Sequence, residues 1–255
     1  MLALLSPAKT LDYKRRLPPI DPTQPRFGKE TDALVRSAAR LGAKRLGGIM
    51  HISDSLAALN AARYRGFAEQ AERPALYAFA GDVYQGFEAR SLDAPAIDFA
   101  QDHLRILSGL YGLLRPLDNI RPYRLEMGTR WAPRHKDLYS FWGRRIADLL
   151  ARDLAEEGSG VILNLASKEY WHAVELAPPH GARIITIDFR EQGPEGLRFN
   201  SFAAKRARGM MARYLCEHRI GDPEALKGFD SDGYRFDGAD GDVWRFVRGE
   251  DAVAA

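Results

Sequence analysis

The sequence predicts a single α/β domain of mixed α+β character, and three patterns carry that prediction. Short apolar runs at 2–5, 161–165 and 183–189 have the length and bounding residues of buried strands. Stretches of helical period separate them. A closing pair of alternating segments, 234–236 and 243–247, is joined by Asp237-Gly238-Ala239-Asp240-Gly241-Asp242, the composition of a hairpin turn. The 255 residues suffice for a substantial core. No repeat or composition break divides them, so one compact domain is expected over 1–255, with 249–255 frayed.

Taken in order, 2–5 reads as a buried strand rather than a signal peptide, because no basic segment precedes it and Ser6-Pro7 ends it. The loop 6–12 then lies at a strand's C-terminal end, where α/β proteins often hold ligands. Lys9 and Asp12 are candidates there; the alternative is a solvated lysine and a capping aspartate. Residues 14–28, with Pro18, Pro19, Pro22 and Pro25, read as an extended connection. Helices are expected over 31–41 and 53–63, the second with Ser53 as N-cap and Leu56 and Leu59 inward, with Gly47-Gly48 between the two. A strand is expected at 75–80, followed by Gly81-Asp82-Val83-Tyr84, where Asp82 either meets a ligand or caps the next turn.

Residues 98–107 are expected as a helix running into Ser108-Gly109-Leu110-Tyr111-Gly112, then a short helix and a basic edge at Arg115, Arg121 and Arg124. Glycines three apart let a backbone or phosphate approach, and turn amides beside a helix N-terminus can bind an anion. A buried structural turn is the competing reading. The span 138–154 carries the strongest amphipathic pattern. After the strand at 161–165, Asn164, Ser167, Lys168, Glu169 and Tyr170 make the densest polar set following any strand. The strand at 183–189 has 196–200 as its expected partner. A helix over 202–220 carries Lys205, Arg206, Arg208 and Arg213, with Met210, Tyr214 and Leu215 inward.

Charge is unevenly spread although the net value is only +3. Lys and Arg outnumber Asp and Glu nine to five in 101–150, and five to one in 201–219. Residues 220–255 are acidic. Such separation can make a basic face. Cys216 is the only cysteine, so no intrachain disulfide forms, which fits a reducing cytosol; a buried, inert thiol is expected. No apolar run approaches ~18 residues, so no membrane span is expected.

Several common chemistries lack their signature. There is no Walker loop, no dinucleotide-binding glycine pattern after a strand, and no nucleophile elbow. No two of His51, His103, His135, His172, His180 and His218 stand three or four apart, so a helix-borne metal site is unsupported. The acidic turn at 230–242 lacks the EF-hand ligand order. No metal and no cofactor are expected.

Motifs in collinear order along nearly the whole chain resemble the YaaA family of bacterial peroxide-stress proteins. They are Leu4-Leu5-Ser6-Pro7-Ala8-Lys9-Thr10-Leu11-Asp12, Gly81-Asp82-Val83-Tyr84, the run 104–128, Lys136-Asp137-Leu138-Tyr139 with Phe141-Trp142, Asn164-Leu165-Ala166-Ser167, and Lys205 with Ala207-Arg208-Gly209. The resemblance implies a cytosolic protein that helps bacteria withstand hydrogen peroxide, in connection with unincorporated iron and oxidative DNA damage. It also implies a family-specific α/β fold with a basic cleft, and duplex DNA binding through a helix-hairpin-helix-like element. The turn 107–112 matches that hairpin but departs from the usual glycine spacing by one residue.

The expected partner is therefore double-stranded DNA, held mainly through phosphates by a monomeric cytoplasmic protein. The groups expected to hold it are Ser108, Gly109, Tyr111, Gly112, Arg115, Arg121, Arg124, Lys168, Lys205, Arg206 and Arg208. The alternative is an enzyme acting on a nucleotide or nucleobase-like small molecule. Its candidate groups are Lys9, Asp12, Asp82, Tyr84, Asn164, Ser167, Glu169 and Tyr170, with lysine as electrophile or Schiff-base former and a carboxylate as general base. Direct iron sequestration is disfavoured by the histidine spacing.

Overall fold

A computed structural model describes residues 1–249 of the chain; the fraying expected at 249–255 lies, beyond Gly249, outside the described residues. Strand β1 (Leu2–Leu5) opens the chain, followed after the extended connection by helices α1 (Gly28–Ala39), α2 (Gly42–Met50) and α3 (Asp54–Arg65). Next come β2 (Arg73–Pro74), α4 (Ala75–Ala78), α5 (Asp82–Phe87) and α6 (Ala94–His103). The middle of the chain forms β3 (Leu104–Ser108), β4 (Gly112–Leu114), β5 (Asn119–Ile120), α7 (Leu138–Trp142) and α8 (Arg145–Glu157). Then follow β6 (Val161–Asn164), α9 (Lys168–Glu175), β7 (Arg183–Gly193), β8 (Gly196–Arg198), α10 (Ser201–Glu217), β9 (Tyr234–Asp240) and β10 (Val243–Arg248).

The main sheet has the order β4-β3-β1-β6-β7-β10-β9, with β8 paired to β7. β3, β1, β6, β7 and β10 are mutually parallel, while β4, β8 and β9 join antiparallel. Every residue of β1 and β3 is buried, as parallel strands covered on both faces require. The expected α/β domain is thus a mixed, mostly parallel eight-stranded sheet with helices packed around it. No helix among the described residues is long and apolar enough to cross a membrane.

Local expectations fail where tertiary pairing overrides periodicity. The helix expected over 98–107 ends at His103, and Leu104–Ser108 is a strand, because β1 offers a parallel partner that pairs Ala3 with Leu104 and Leu5 with Ile106. Residues 75–78 form one helical turn rather than a strand. Gly47 and Gly48 lie inside α2, which ends instead at His51 in the left-handed region. Ser53 does cap α3, but Leu56 and Leu59 are exposed; Ala57, Asn60, Ala61 and Tyr64 make its buried side. The amphipathic span 138–154 breaks at Gly143, which adopts φ +50° between α7 and α8.

The glycine turn departs most from expectation. Ser108 to Gly112 joins two antiparallel strands, so residues 104–114 form a β-hairpin and no helix-hairpin-helix is built there. The hairpin is buried, with Ser108 and Leu110 fully so. Several of its polar groups are already paired: Ser108 Oγ accepts from the Tyr111 amide at 3.0 Å, and Trp142 Nε1 donates to the Gly109 carbonyl at 3.0 Å. Gly112 takes φ +71° with Trp142 against it, a position that admits no side chain. A Cβ on Gly109 would stand 2.2 Å from the Leu125 carbonyl. The turn therefore supports the segment 123–126 rather than presenting its amides to solvent.

Candidate functional site

β1 is the point at which the sheet reverses its order. The chain leaves β1 for β3 on one side, whereas β6 on the other side leads away to β7 and β10. Connections that diverge in this way leave a crevice beyond the carboxyl ends of the two strands. The loops there are tied together: the Leu165 amide donates to the Leu4 carbonyl at 3.1 Å, and the Ser167 amide donates to Ser6 Oγ at 2.9 Å. A cleft of about 660 Å³ opens on these loops.

Four segments complete its walls. Ser6 to Thr10 follows β1, Ser167 to Tyr170 begins α9, Ala80 to Val83 begins α5, and Tyr123 to Glu126 rests on the hairpin. Lys205 and Arg208 reach in from α10. The cleft thus carries Lys9, Arg124, Lys168, Lys205 and Arg208 beside Asp82, Glu126 and Glu169.

The charges are partly compensated. Glu126 meets Arg124 Nε at 2.9 Å and Lys9 Nζ at 3.6 Å. Glu169 Oε1 accepts from the Gly128 amide at 2.9 Å, while Tyr139 donates to the Glu169 carbonyl at 2.8 Å, so this residue ties α9 to the 126–128 loop. Arg208 makes no ion pair or hydrogen bond among the described residues, and burial lowers the pKa of its guanidinium against the pull of Asp188. A partly desolvated, unpaired guanidinium is costly to keep and recognises anions with a planar fork of donors. Burial raises the phenol of Tyr170 well above its ordinary range, and that of Tyr123 also upward, so both line the cleft as neutral hydroxyls. Tyr123 OH lies 2.7 Å from Ser108 Oγ.

The candidate residues divide by place. Lys9, Asp82, Ser167, Glu169 and Tyr170 share the cleft with Arg124, Lys168, Lys205 and Arg208. Asp12 does not line it: its carboxylate accepts from the Lys14 and Arg15 amides, at 2.9 and 3.1 Å, the capping role. Although burial raises its pKa, those bonds and the nearby Arg73 and Arg15 outweigh burial and hold it below the ordinary value. Tyr84 is buried and donates to the Ser6 carbonyl at 3.1 Å, beneath the loop. Asn164 is buried and accepts from the Ala166 amide at 3.1 Å, shaping the turn that delivers Ser167.

Among the other basic residues, Arg115 is bound to the fully buried Asp118, and Arg121 pairs with Glu72 at 2.9 Å. Arg206 is exposed on α10, beside the cleft residue Lys205. Sequence reading passed over Glu126 and Tyr123. The signal was available in Arg124-Leu125-Glu126, where charges two apart in an extended segment point to one side. Among the described residues no group of three or more His, Cys, Asp or Glu side chains is arranged to hold a metal ion.

Comparison with known proteins gives a consistent picture. The family model for "Peroxide stress protein YaaA" matches residues 1–240. A UPF0246 protein of Rhizorhabdus wittichii is 69% identical over 251 residues, covering 97% of this chain and 99% of the relative. One from Polynucleobacter asymbioticus is 48% identical over 251 residues, covering 95% and 96%. Another from Idiomarina loihiensis is 49% identical over 244 residues, covering 94% of each. With β1 to β9 and all the cleft segments inside the matched span, the chain belongs to the peroxide stress protein YaaA family.

Proposed function

We propose that the protein serves the bacterial response to hydrogen peroxide by binding double-stranded DNA through its phosphates. In this reading it protects against oxidative DNA damage and is linked to lower levels of unincorporated iron. One observation carries the DNA reading: Lys168, Lys205 and Arg208, distant in sequence, converge with Lys9 and Arg124 on one cleft. Arg206 extends the same charge along α10. Phosphate contacts of this kind are sequence-independent and weaken as salt rises. Equilibrium binding of a fluorescent duplex across a salt series tests it. Six phosphate contacts predict a loss of ~10³-fold or more between low and moderate salt. Affinity that does not fall with salt refutes the account.

A second reading rests on the carboxylates. Asp82, Glu126 and Glu169 stand among the cations, where a site built only for phosphate has no use for negative charge. They suit the donors of a nucleobase or sugar, so the same cleft is a candidate active site for a nucleotide or nucleobase-like substrate. Substituting Lys9→Ala and Asp82→Asn separates the readings. Loss of peroxide protection with unchanged fold and DNA affinity supports the enzyme; intact protection in both variants counts against it.

A further inference from the structure

Two phenylalanines around the start of α10 are left open by the fold. Phe202 is 71% exposed and Phe199 is 53% exposed. Asn200 between them caps α10, its Oδ1 accepting from the Phe202 amide at 3.1 Å, so the two rings flank a fixed helix start. Burial does not explain either ring, and an exposed phenylalanine carries a cost in water. Each has a cation on it: Lys205 Nζ lies 5.4 Å from the Phe202 ring centre, and the Arg190 guanidinium lies 5.5 Å from that of Phe199.

Phe202, Lys205 and Arg206 stand at i, i+3 and i+4 on α10, hence on one side of the helix. Lys205 is also a cleft residue, which makes the aromatic surface continuous with the cleft. A partner that fits must be flat and aromatic where it meets the rings, and anionic where it meets Lys205 and Arg206. An apolar peptide satisfies the first demand only, and an intact duplex, its bases stacked inward, satisfies the second only.

We infer that Phe202 is a stacking platform for an unpaired base of a DNA strand whose phosphates lie on Lys205 and Arg206. Stacking of a base on an aromatic ring is tolerant of sequence because every base has a π-face. The platform therefore selects unpaired over paired DNA without reading sequence. The inference rests on the DNA reading above, with a separate contact for a separate feature of the strand.

Anisotropy titrations with a single strand of about 12 nucleotides and with the matching duplex test it. Phe202→Ala is expected to lose about tenfold in affinity for the single strand and little for the duplex. Its salt slope stays unchanged, because the ring neutralises no phosphate. Phe202→Trp is expected to restore the single-strand affinity. A 2-aminopurine base in the strand is quenched on binding the wild type and not on binding Phe202→Ala. Equal losses on the two DNAs, or no loss on either, overturn the platform while leaving duplex binding standing. Wild-type protein that binds neither DNA overturns the DNA reading and the platform with it.

Discussion

Gly209 in α10 packs against the backbone carbonyl of Val83 in α5, so closely that a Cβ on Gly209 would stand 1.8 Å from that oxygen. Gly86 makes the reciprocal approach, 2.2 Å from the Arg206 carbonyl by the same measure. This glycine-on-backbone contact brings the side of α10 that carries Lys205 and Arg208 to the start of α5, where Asp82 stands. In an ordinary helix interior, Gly→Ala adds about 0.5–1 kcal/mol of stability. At Gly209 the obstacle is a carbonyl, which cannot swing aside as a side chain can, and the sign reverses. Gly209→Ala is expected to cost about 2–3 kcal/mol, read as a lower midpoint of thermal unfolding. Gly48→Ala, in α2 with open space at its Cβ position, is the control and is expected to gain up to about 1 kcal/mol. A Gly209→Ala protein that melts no lower than the wild type contradicts this packing.

Arg115 and Arg208 look alike in sequence and differ in what holds them. Asp118, fully buried, accepts from the Arg115 amide at 2.8 Å, from its guanidinium at 2.9 Å, and from Thr23 Oγ1 at 2.6 Å. Arg115→Gln strips partners from a buried carboxylate and is expected to cost about 2 kcal/mol of stability, with little change in the salt dependence of DNA binding. Arg208→Gln removes a partly desolvated cation that makes no ion pair among the described residues, so stability should hold or rise. Its DNA affinity should fall with a salt slope reduced by about 0.9, one phosphate contact. Urea unfolding and salt-series titrations on both variants read the contrast, and a salt slope that changes for Arg115→Gln but not for Arg208→Gln reverses the assignment.

The same contrast explains which features were legible in the sequence. The strands expected at 2–5, 161–165 and 183–189 were legible as short, mostly apolar runs, the last continuing to Gly193, and the closing hairpin from its alternating segments, although Asp237 to Asp240 of the expected turn lie in β9. Lys9, Asp82, Ser167 and Glu169 were found by one rule, that loops after buried strands or apolar segments hold ligands, and the switch at β1 brings them together. Leu104–Ser108 was misread because its apolar spacing suits a helix as well as a strand, and only β1, a hundred residues earlier, decides between them. The commitment of Arg115 to Asp118 and of Arg121 to Glu72 was illegible for a related reason. Residue type gives the charge, while the fold alone decides whether that charge is already spoken for.

Asp153 anchors the proline-rich connection to the sheet. It receives Arg26 at 2.5 and 2.9 Å and Arg105 Nε at 2.5 Å, joining residues from the connection, α8 and β3. Burial raises its pKa, but the two arginines outweigh burial and hold it below the ordinary 3.8. A carboxylate depressed in the folded state contributes stability that is present above its unfolded value and lost as pH falls through the folded one. Stability of the wild type should therefore decline below about pH 4. Asp153→Asn should be destabilised by about 3 kcal/mol at neutral pH, two guanidiniums losing their charge partner, and should show a flatter acid limb. Urea unfolding between pH 3 and pH 7 checks both; parallel acid limbs in the two proteins mean that Asp153 is not the titrating group.

Membership of a peroxide-stress family raises the question of whether the one thiol senses the oxidant. Cys216 is fully buried among the apolar residues of α10, and burial pushes its thiol well above the ordinary value near 9.0. Hydrogen peroxide oxidises the thiolate, so a protonated, inaccessible thiol reacts slowly. The folded protein treated with peroxide should carry no sulfenic acid, glutathione adduct or intermolecular disulfide at Cys216, by intact and peptide mass spectrometry. Alkylation by iodoacetamide should appear only after unfolding, and Cys216→Ala should keep the wild-type DNA affinity with and without peroxide. Oxidation of Cys216 in the native protein at a rate comparable to that of a free thiol would overturn this and make the thiol a site of peroxide sensing.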